Sequence, residues 1–356
     1  MKISESWLRE WANPSISIEM LLDQLTMAGL EVEGIEAAGP LLDKVVIGEI
    51  LSIEQHPDAD KLQVCQVSNG SDTIAVVCGA PNARQGLKVA FAQVGALLPG
   101  MKIKKAKLRG VASFGMLCSS SELELSESSN GILELPSNAP VGTSIHDYFQ
   151  LNDTIIEVDL TPNRGDCLCV AGVAREVAAV NRVELTEVNC LDVNATTDDV
   201  FSIELLASEA CPHYVGRIIK DIDPLATTPT WMQEKLRRCG LRPISPVVDV
   251  TNYVMMEIGQ PMHGFDFDKL EGGIKVRMAK AGESFTLLDQ STVECRADTL
   301  VIADHQKPLA LAGIMGGFDS SVQGATKNIF LEAAFFAPIL LAGKARSYGM
   351  HTDSSH

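Results

Sequence analysis

The chain has 356 residues, 46% of them apolar and 5% aromatic, and a formal net charge of −17. That length and apolar content suffice for two or three cores and suit mixed sheets with small helices rather than a coiled coil or a disordered chain. The start, Met1-Lys2-Ile3-Ser4-Glu5, lacks the apolar stretch of a secretory leader, and no window approaches the roughly 18 apolar residues of a spanning helix. The expectation is a cytoplasmic protein without a membrane partner.

Residues 5–12 and 18–29 show helical spacing, with Trp7, Leu8 and Trp11 on one stripe and Met20, Leu21, Leu22, Leu25 and Met27 on the next. Asn13-Pro14 breaks the first and Gly29 ends the second. Two short helices cannot bury both stripes alone, and helical spacing returns at 170–181. Between them lie β-rich runs at 45–53, 62–67, 73–77, 88–92 and 131–135, separated by Asn69-Gly70, Gly79-Ala80-Pro81-Asn82 and Pro99-Gly100. Five short strands with such turns predict a small β-barrel of the oligonucleotide-binding (OB) kind, inserted into the helical domain. A polar stretch over 186–200 reads as a linker. Beyond it, strands at 201–206, 214–219, 273–278, 299–302 and 329–331 alternate with helices at 229–239 and 248–258. The expected fold class is therefore multidomain α+β. It comprises a helical domain (1–39), the OB barrel (40–150), the second helical part with linker (151–195) and a mixed α/β domain (200–356). No solenoid repeat is visible. The last residues, 351–356, carry no cap or taper, which reads as a cut within something longer.

The acidic average opposes a nucleic-acid partner, because phosphate is repelled by negative surface. It conceals a basic stretch. Arg84, Lys88, Lys102, Lys104, Lys105, Lys107 and Arg109 occur with no acidic residue among them, before Glu122, Glu124, Glu127 and Glu134 restore the balance. A charge run is most often a solvated face. The lack of any carboxylate over 84–110 in so acidic a chain favours polyanion binding, with these seven residues as contacts. Only Phe91 and Phe114 are available for stacking, so shape and charge recognition is expected. The nine cysteines are odd in number and scattered, with no Cys-x-x-Cys, and read as small core residues. Cys167 and Cys169 are too close in sequence for a zinc knuckle, and His351 and His356 have no visible third ligand, so no metal site is expected.

Three blocks, His56-Pro57-Asp58-Ala59-Asp60-Lys61-Leu62, Val76-Val77-Cys78-Gly79-Ala80-Pro81-Asn82 and Lys104 to Ser119, resemble the tRNA-binding barrel found in several aminoacyl-tRNA synthetases. Leu160-Thr161-Pro162-Asn163-Arg164-Gly165-Asp166-Cys167-Leu168 resembles the stretch that follows this barrel in bacterial phenylalanyl-tRNA synthetase β subunits. Ser6-Trp7-Leu8-Arg9-Glu10 and Met27 to Glu33 resemble their opening. The segments Arg237 to Arg242, Val248 to Tyr253, Gly259 to His263, Gly313 to Gly317, Leu331-Glu332 and His351-Thr352-Asp353 occur in the same order in the B3/B4-like editing domain of those subunits. Asn163, Arg164 and Asp166 suit helix capping and a local ion pair rather than catalysis.

The resemblance implies an N-terminal part of such a β subunit, which binds tRNA(Phe) and hydrolyses mischarged tyrosyl-tRNA(Phe). A synthetic pocket built for an apolar ring rejects an added hydroxyl only about a hundredfold, so a second site must remove the error. By resemblance, Glu332 accepts the tyrosine hydroxyl, and Gly316 and Ser354 line the pocket. His263, Arg242 and Thr352 serve near the ester and terminal adenosine. Glu332, between Leu331 and Ala333 in an apolar strand, is a rare place for an idle carboxylate. A lone His263 is more often a structural hydrogen-bonder, and Gly313, Gly316 and Gly317 suit a tight turn without the Gly-Lys-Ser/Thr of a nucleotide loop. ATP, magnesium and phenylalanine activation are expected of the α subunit of an α2β2 heterotetramer, so this chain alone should not aminoacylate. A noncatalytic tRNA-binding or assembly scaffold is the alternative.

Overall fold

The computed structural model describes residues 1–186 and 190–352, which form two compact units. One unit takes residues 2–6 and 32–158 and the other residues 1, 7–31 and 159–352.

In the first unit, strand Lys2–Ser4 pairs antiparallel with Thr154–Asp159, whose other edge carries Glu31–Ala37. Asp153 fixes this entry, accepting from Ser4 Oγ at 2.6 Å, Ser6 N at 2.9 Å and Ser6 Oγ at 2.8 Å. The main sheet runs in the order Gly115–Cys118, Lys88–Gln93, Val45–Gln55, Gln63–Ser68, Thr73–Cys78, with Glu134–Leu135 also on Lys88–Gln93. Side chains alternate across it as strand geometry demands. Val45, Ile47, Ala90 and Ala92 enter one core with Ile145 and Phe149, while Ile50, Val89, Phe91, Val67 and Val76 enter the other. The edge strand Thr73–Cys78 curls back to the opposite edge, where Phe114 N donates to Ala75 O at 2.9 Å and Val77 N to Ser113 Oγ at 3.0 Å. Strand Gly115–Cys118 of this sheet, like the flanking strands Lys2–Ser4, Glu31–Ala37 and Thr154–Asp159, is not among the β-rich runs read from the sequence.

In the second unit, helix Ile18–Met27, capped by Ser17 Oγ accepting from Met20 N, packs on Val170–Asn181 through paired amide bonds between Gln24 and Asn181 at 2.7 and 3.1 Å. Trp7 of helix Glu5–Trp11 is buried and stacks at 5.1 Å between ring centroids on Tyr253 of helix Pro246–Ile258. Trp7 is thus covered by a helix from far along the chain. Two sheets enclose the main core. One has the order Ile203–Leu205, Ile274–Met278, Leu300–Ala303, Pro308–Leu311, Met315–Gly316; the other places Ile329–Phe335 between His213–Ile219 and Met262–Asp266. Phe265 and Phe330 from the second sheet meet Ile274, Val276, Leu300, Ile302 and Leu309 from the first. The sequence pattern gave no strand at Met262–Asp266, since Gly259-Gln260-Pro261 and Gly264 look like loop. Among the described residues no helix is long and apolar enough to cross a membrane.

Candidate functional site

Alternation puts Phe330, Glu332 and Ala334 on one face of the central strand Ile329–Phe335. The antiparallel register sets His263 opposite Glu332 on one side and Gly216 opposite it on the other, with Phe265 and Ile218 flanking Phe330. Opposite residues bring their Cβ atoms within about 5 Å, so imidazole and carboxylate are forced to be neighbours by strand pairing alone. Glu332 is 7% exposed.

The facing wall is the hairpin of Pro308–Leu311 and Met315–Gly316, turned where Ile314 N donates to Leu311 O at 3.0 Å. Gly316 backs directly onto the imidazole. A Cβ there would lie 2.5 Å from His263 Cε1 and 2.7 Å from Nε2, so only glycine admits the ring in this place. His263, Glu332, Gly313, Gly316, Met262 and Phe336 thus share one cavity of about 120 Å³. A cavity of about 150 Å³ holds benzene, so the space is of the size of a single aromatic ring.

Burial lifts Glu332 from the ordinary 4.5 to about 7, against the opposing effect of Tyr214, whose phenol donates to Oε2 at 2.8 Å. Burial pushes His263 down from 6.5 to about 4, so the imidazole is neutral at neutral pH. The residue as a whole keeps some exposure, but Nε2 is shut off from solvent and has no hydrogen-bond partner among the described residues. Tyr214 is driven well above its usual value by burial and by the Glu332 charge, and stays a donor.

The other expected site residues are dispersed. Thr352 Oγ1 donates to Ile314 O at 2.9 Å, tying the end of the described chain to the cavity's turn. Arg242 is exposed in the loop ahead of helix Pro246–Ile258 and does not line the cavity. That loop is held by the buried Asp249, which accepts from Ile244 N at 2.7 Å and from the Thr228 hydroxyl. Ser354 lies outside the described residues. Sequence reading missed Tyr214 and the anchoring role of Asp249. Tyr214 carried no signal because its partner is 118 residues away.

The basic stretch divides. Arg84 is bound by Glu134 at 2.6 and 2.8 Å and Lys88 by Glu49 at 2.5 Å, so both charges are spent locally. Lys102, Lys104, Lys105, Lys107 and Arg109 are all exposed, around the hairpin of Ala106–Leu108 and Val111–Ser113. Lys105 Nζ stands 4.6 Å over the ring of Phe114, while Phe91 is fully buried and unavailable for stacking. The hairpin is pinned by His56, whose Nδ1 accepts from Asp58 N at 3.1 Å, which leaves Nε2 to donate to Leu108 O at 3.0 Å.

Asp166, Cys167 and Glu176 place three ligand atoms within 4.8 Å of one another. Arg164 fills that space, with Nε 3.2 Å from Asp166 Oδ1 and Nη2 2.8 Å from Glu176 Oε1 and 2.9 Å from Cys167 Sγ. A guanidinium there already neutralises the carboxylates, so this cluster does not fit a metal ion.

Residues 45–144 match a tRNA binding domain family and residues 210–356 match the B3/4 domain family. The phenylalanine–tRNA ligase beta subunit of Pseudomonas syringae pv. syringae (strain B728a) is 58% identical over 357 residues, covering 100% of this chain and 45% of that protein. The same subunit of Dickeya dadantii (strain 3937) is 58% identical over 358 residues with the same coverage. This chain therefore spans less than half the length of these relatives. A solved N-terminal fragment of the phenylalanyl-tRNA synthetase beta subunit from Pyrococcus horikoshii covers 98% of this chain and 73% of that one at 12% identity, with a TM-score of 0.35, too low to bear on the fold. More than half of the residues are identical along the full length of the chain, with a tRNA binding part followed by a B3/4 part, and on that ground the chain belongs to the phenylalanine–tRNA ligase beta subunit family, as its N-terminal region.

Proposed function

We propose that this chain binds tRNA(Phe) and hydrolyses tyrosyl-tRNA(Phe), as the proofreading part of a phenylalanine–tRNA ligase. The observation that carries the reading is a buried carboxylate, Glu332, sharing a ring-sized cavity with His263, whose Nε2 has no partner among the described residues, and with the bare backbone of Gly316. A tyrosine side chain entering the cavity donates its hydroxyl to Glu332, whereas a phenylalanine leaves that acceptor unpaired at a cost of about 1–3 kcal/mol. The preference of a synthetic pocket is thereby reversed.

An aminoacyl ester is already activated, so a positioned water and a polarised carbonyl suffice for its hydrolysis. His263, neutral at pH 7, is the residue we assign to positioning the water or the terminal nucleotide. Thr352 acts through the turn at Ile314, and Arg242 meets phosphate or ribose outside the cavity. Ser354 is assigned to the pocket by resemblance alone. The exposed Lys102, Lys104, Lys105, Lys107 and Arg109 track the tRNA backbone from an OB-type barrel over 40–150, with counterion release as the source of affinity. The helical parts 1–39 and 151–195 and the editing domain 200–356 complete the chain. Aminoacylation, ATP and magnesium belong in this reading to an α subunit, joined in an α2β2 assembly.

The test is release of labelled tyrosine from tyrosyl-tRNA(Phe) by this chain and by His263→Ala. Release by the chain, lost on that substitution while tRNA binding persists, supports the reading. Binding of tRNA by a folded chain with no release of tyrosine above the spontaneous rate leaves the scaffold alternative and overturns the hydrolase.

A further inference from the structure

We propose that Tyr214 is a positioning residue for substrate discrimination, holding Oε2 of Glu332 so that Oε1 is the single acceptor offered to an incoming hydroxyl. This inference rests on the editing function proposed above and adds a specificity residue to it.

Tyr214 pairs with Ala334 and Gly216 pairs with Glu332, so Tyr214 is the diagonal neighbour of Glu332 on the inner face of the same sheet. Gly216, opposite Glu332, makes room for the Phe330 ring, since a Cβ there would lie 2.1 Å from Phe330 Cζ, and the Tyr214 phenol reaches the carboxylate at 2.8 Å. The bond from Tyr214 Oη is the only one that the Glu332 side chain makes among the described residues, and Oε1 carries none.

A terminal carboxylate torsion is broad and nearly two-fold, so an unrestrained Glu332 would offer either oxygen over a range of directions. One strong donor on Oε2 removes that degeneracy. The second lone-pair set, on Oε1, is then the one left for a ligand, with less torsional freedom to lose on binding. The contact is also chemically matched to its purpose, since the internal ligand is itself a tyrosine phenol. A substrate phenol makes on Oε1 the bond that Tyr214 already makes on Oε2.

The same bond favours the charged carboxylate, which is the form that accepts without also donating. The titratable groups facing Glu332 are Tyr214 and Cys211 from strand His213–Ile219 and the residues before it, and His263 from Met262–Asp266. Cys211 is pushed up to about 11 and His263 down to about 4, so at neutral pH both are uncharged. The opposing hairpin, Ala310 to Gly316, carries no ionisable side chain. Tyr214 is thus the one neighbouring side chain that works against burial to keep Glu332 ionised.

The experiment compares this chain with Tyr214→Phe and Glu332→Gln in deacylation of tyrosyl- and phenylalanyl-tRNA(Phe) between pH 5.5 and 9. A second, substrate-free measurement follows the Glu332 carboxyl by NMR of glutamate-labelled protein. In Tyr214→Phe the tyrosine-over-phenylalanine ratio of kcat/KM is expected to fall about five- to tenfold, through KM for the tyrosyl ester, with the phenylalanyl rate unchanged. Discrimination requires the ionised carboxylate, so it is present above the Glu332 midpoint and lost as pH falls through it. Removing the donor raises that midpoint, and both the ratio and the NMR titration move to higher pH. A ratio and midpoint identical to those of the parent chain overturn the assignment, as does an equal fall for both esters with no change in midpoint, which marks a merely structural role. If the parent chain shows no tyrosine preference and Glu332→Gln changes nothing, the editing reading falls first and the role of Tyr214 falls with it.

Discussion

Replacing Glu332 by glutamine keeps the shape and the acceptor for Tyr214 but removes a buried titration. The folded-state value of this carboxyl is raised from 4.5 to about 7. A raised value means that the protonated form is the one the fold tolerates. Its contribution to stability is complete below pH 4.5, is lost as the pH climbs to 7, and stays lost above. Each pH unit of that interval corresponds to about 1.4 kcal/mol, so ionised Glu332 costs the fold about 3 kcal/mol at pH 8 relative to pH 4.5. The depressed titration of His263, which removes stability as pH falls from 6.5 through 4, is common to both proteins and cancels in the difference. The stability of Glu332→Gln minus that of the parent chain should therefore rise by about 3 kcal/mol across this range. Urea unfolding followed by tryptophan fluorescence reads it, because Trp7, Trp11 and Trp231 all lie in the compact unit that holds Glu332. With a slope of about 3 kcal/mol per molar urea, the midpoint difference should grow by about 1 M. A difference that is flat from pH 4.5 to pH 8 would show that Glu332 does not ionise in a dehydrated site, and the reasoning about the cavity would fail.

Two further outcomes follow from contacts on either unit. Gly316→Ala places a methyl 2.7 Å from His263 Nε2, so the ring must leave its seat; stability should drop by about 1–3 kcal/mol and deacylation of both esters should fall by about tenfold or more. Gly324→Ala, with nothing within 4 Å of the added carbon, is the control and should leave both unchanged. Replacing Lys104, Lys105 and Lys107 together by alanine should weaken tRNA binding and flatten the slope of log affinity against log salt by about 2–3, while Arg84→Ala, already neutralised by Glu134, should leave the slope as it was. An equal loss from Arg84→Ala would remove the distinction between spent and free charges.

The buried carboxylate was legible before any coordinates because a strand as apolar as Ile329 to Ala334 rarely holds one idle. Its neighbours were not. Which residue stands beside Glu332 depends on strand order and register, and the strand that delivers His263 is disguised by the glycines and proline around it. Tyr214 looked like an ordinary strand residue, since a phenol that packs in a core and a phenol that orients a carboxylate leave the same pattern in sequence. The basic stretch was legible as composition, but composition cannot say which charges are free. The glutamates that quench Arg84 and Lys88 lie 50 and 39 residues away and meet them only through the sheet.

The two ionisable groups of the cavity are pushed in opposite directions by the same cause. Burial penalises charge on either, which leaves His263 a neutral base and brings Glu332 to the edge of protonation near pH 7. A carboxylate in that condition is poorly suited to be both the acceptor of a substrate phenol and the base that activates water, because Oε2 already accepts from Tyr214 and Oε1 is the oxygen proposed for the phenol. The neutral imidazole one strand away has an uncommitted nitrogen and no charge to lose. In the editing reaction proposed for this chain, strand pairing sets recognition on Glu332 beside the positioning role assigned to His263, and the fixed spacing of an antiparallel pair fixes the distance between the two positions.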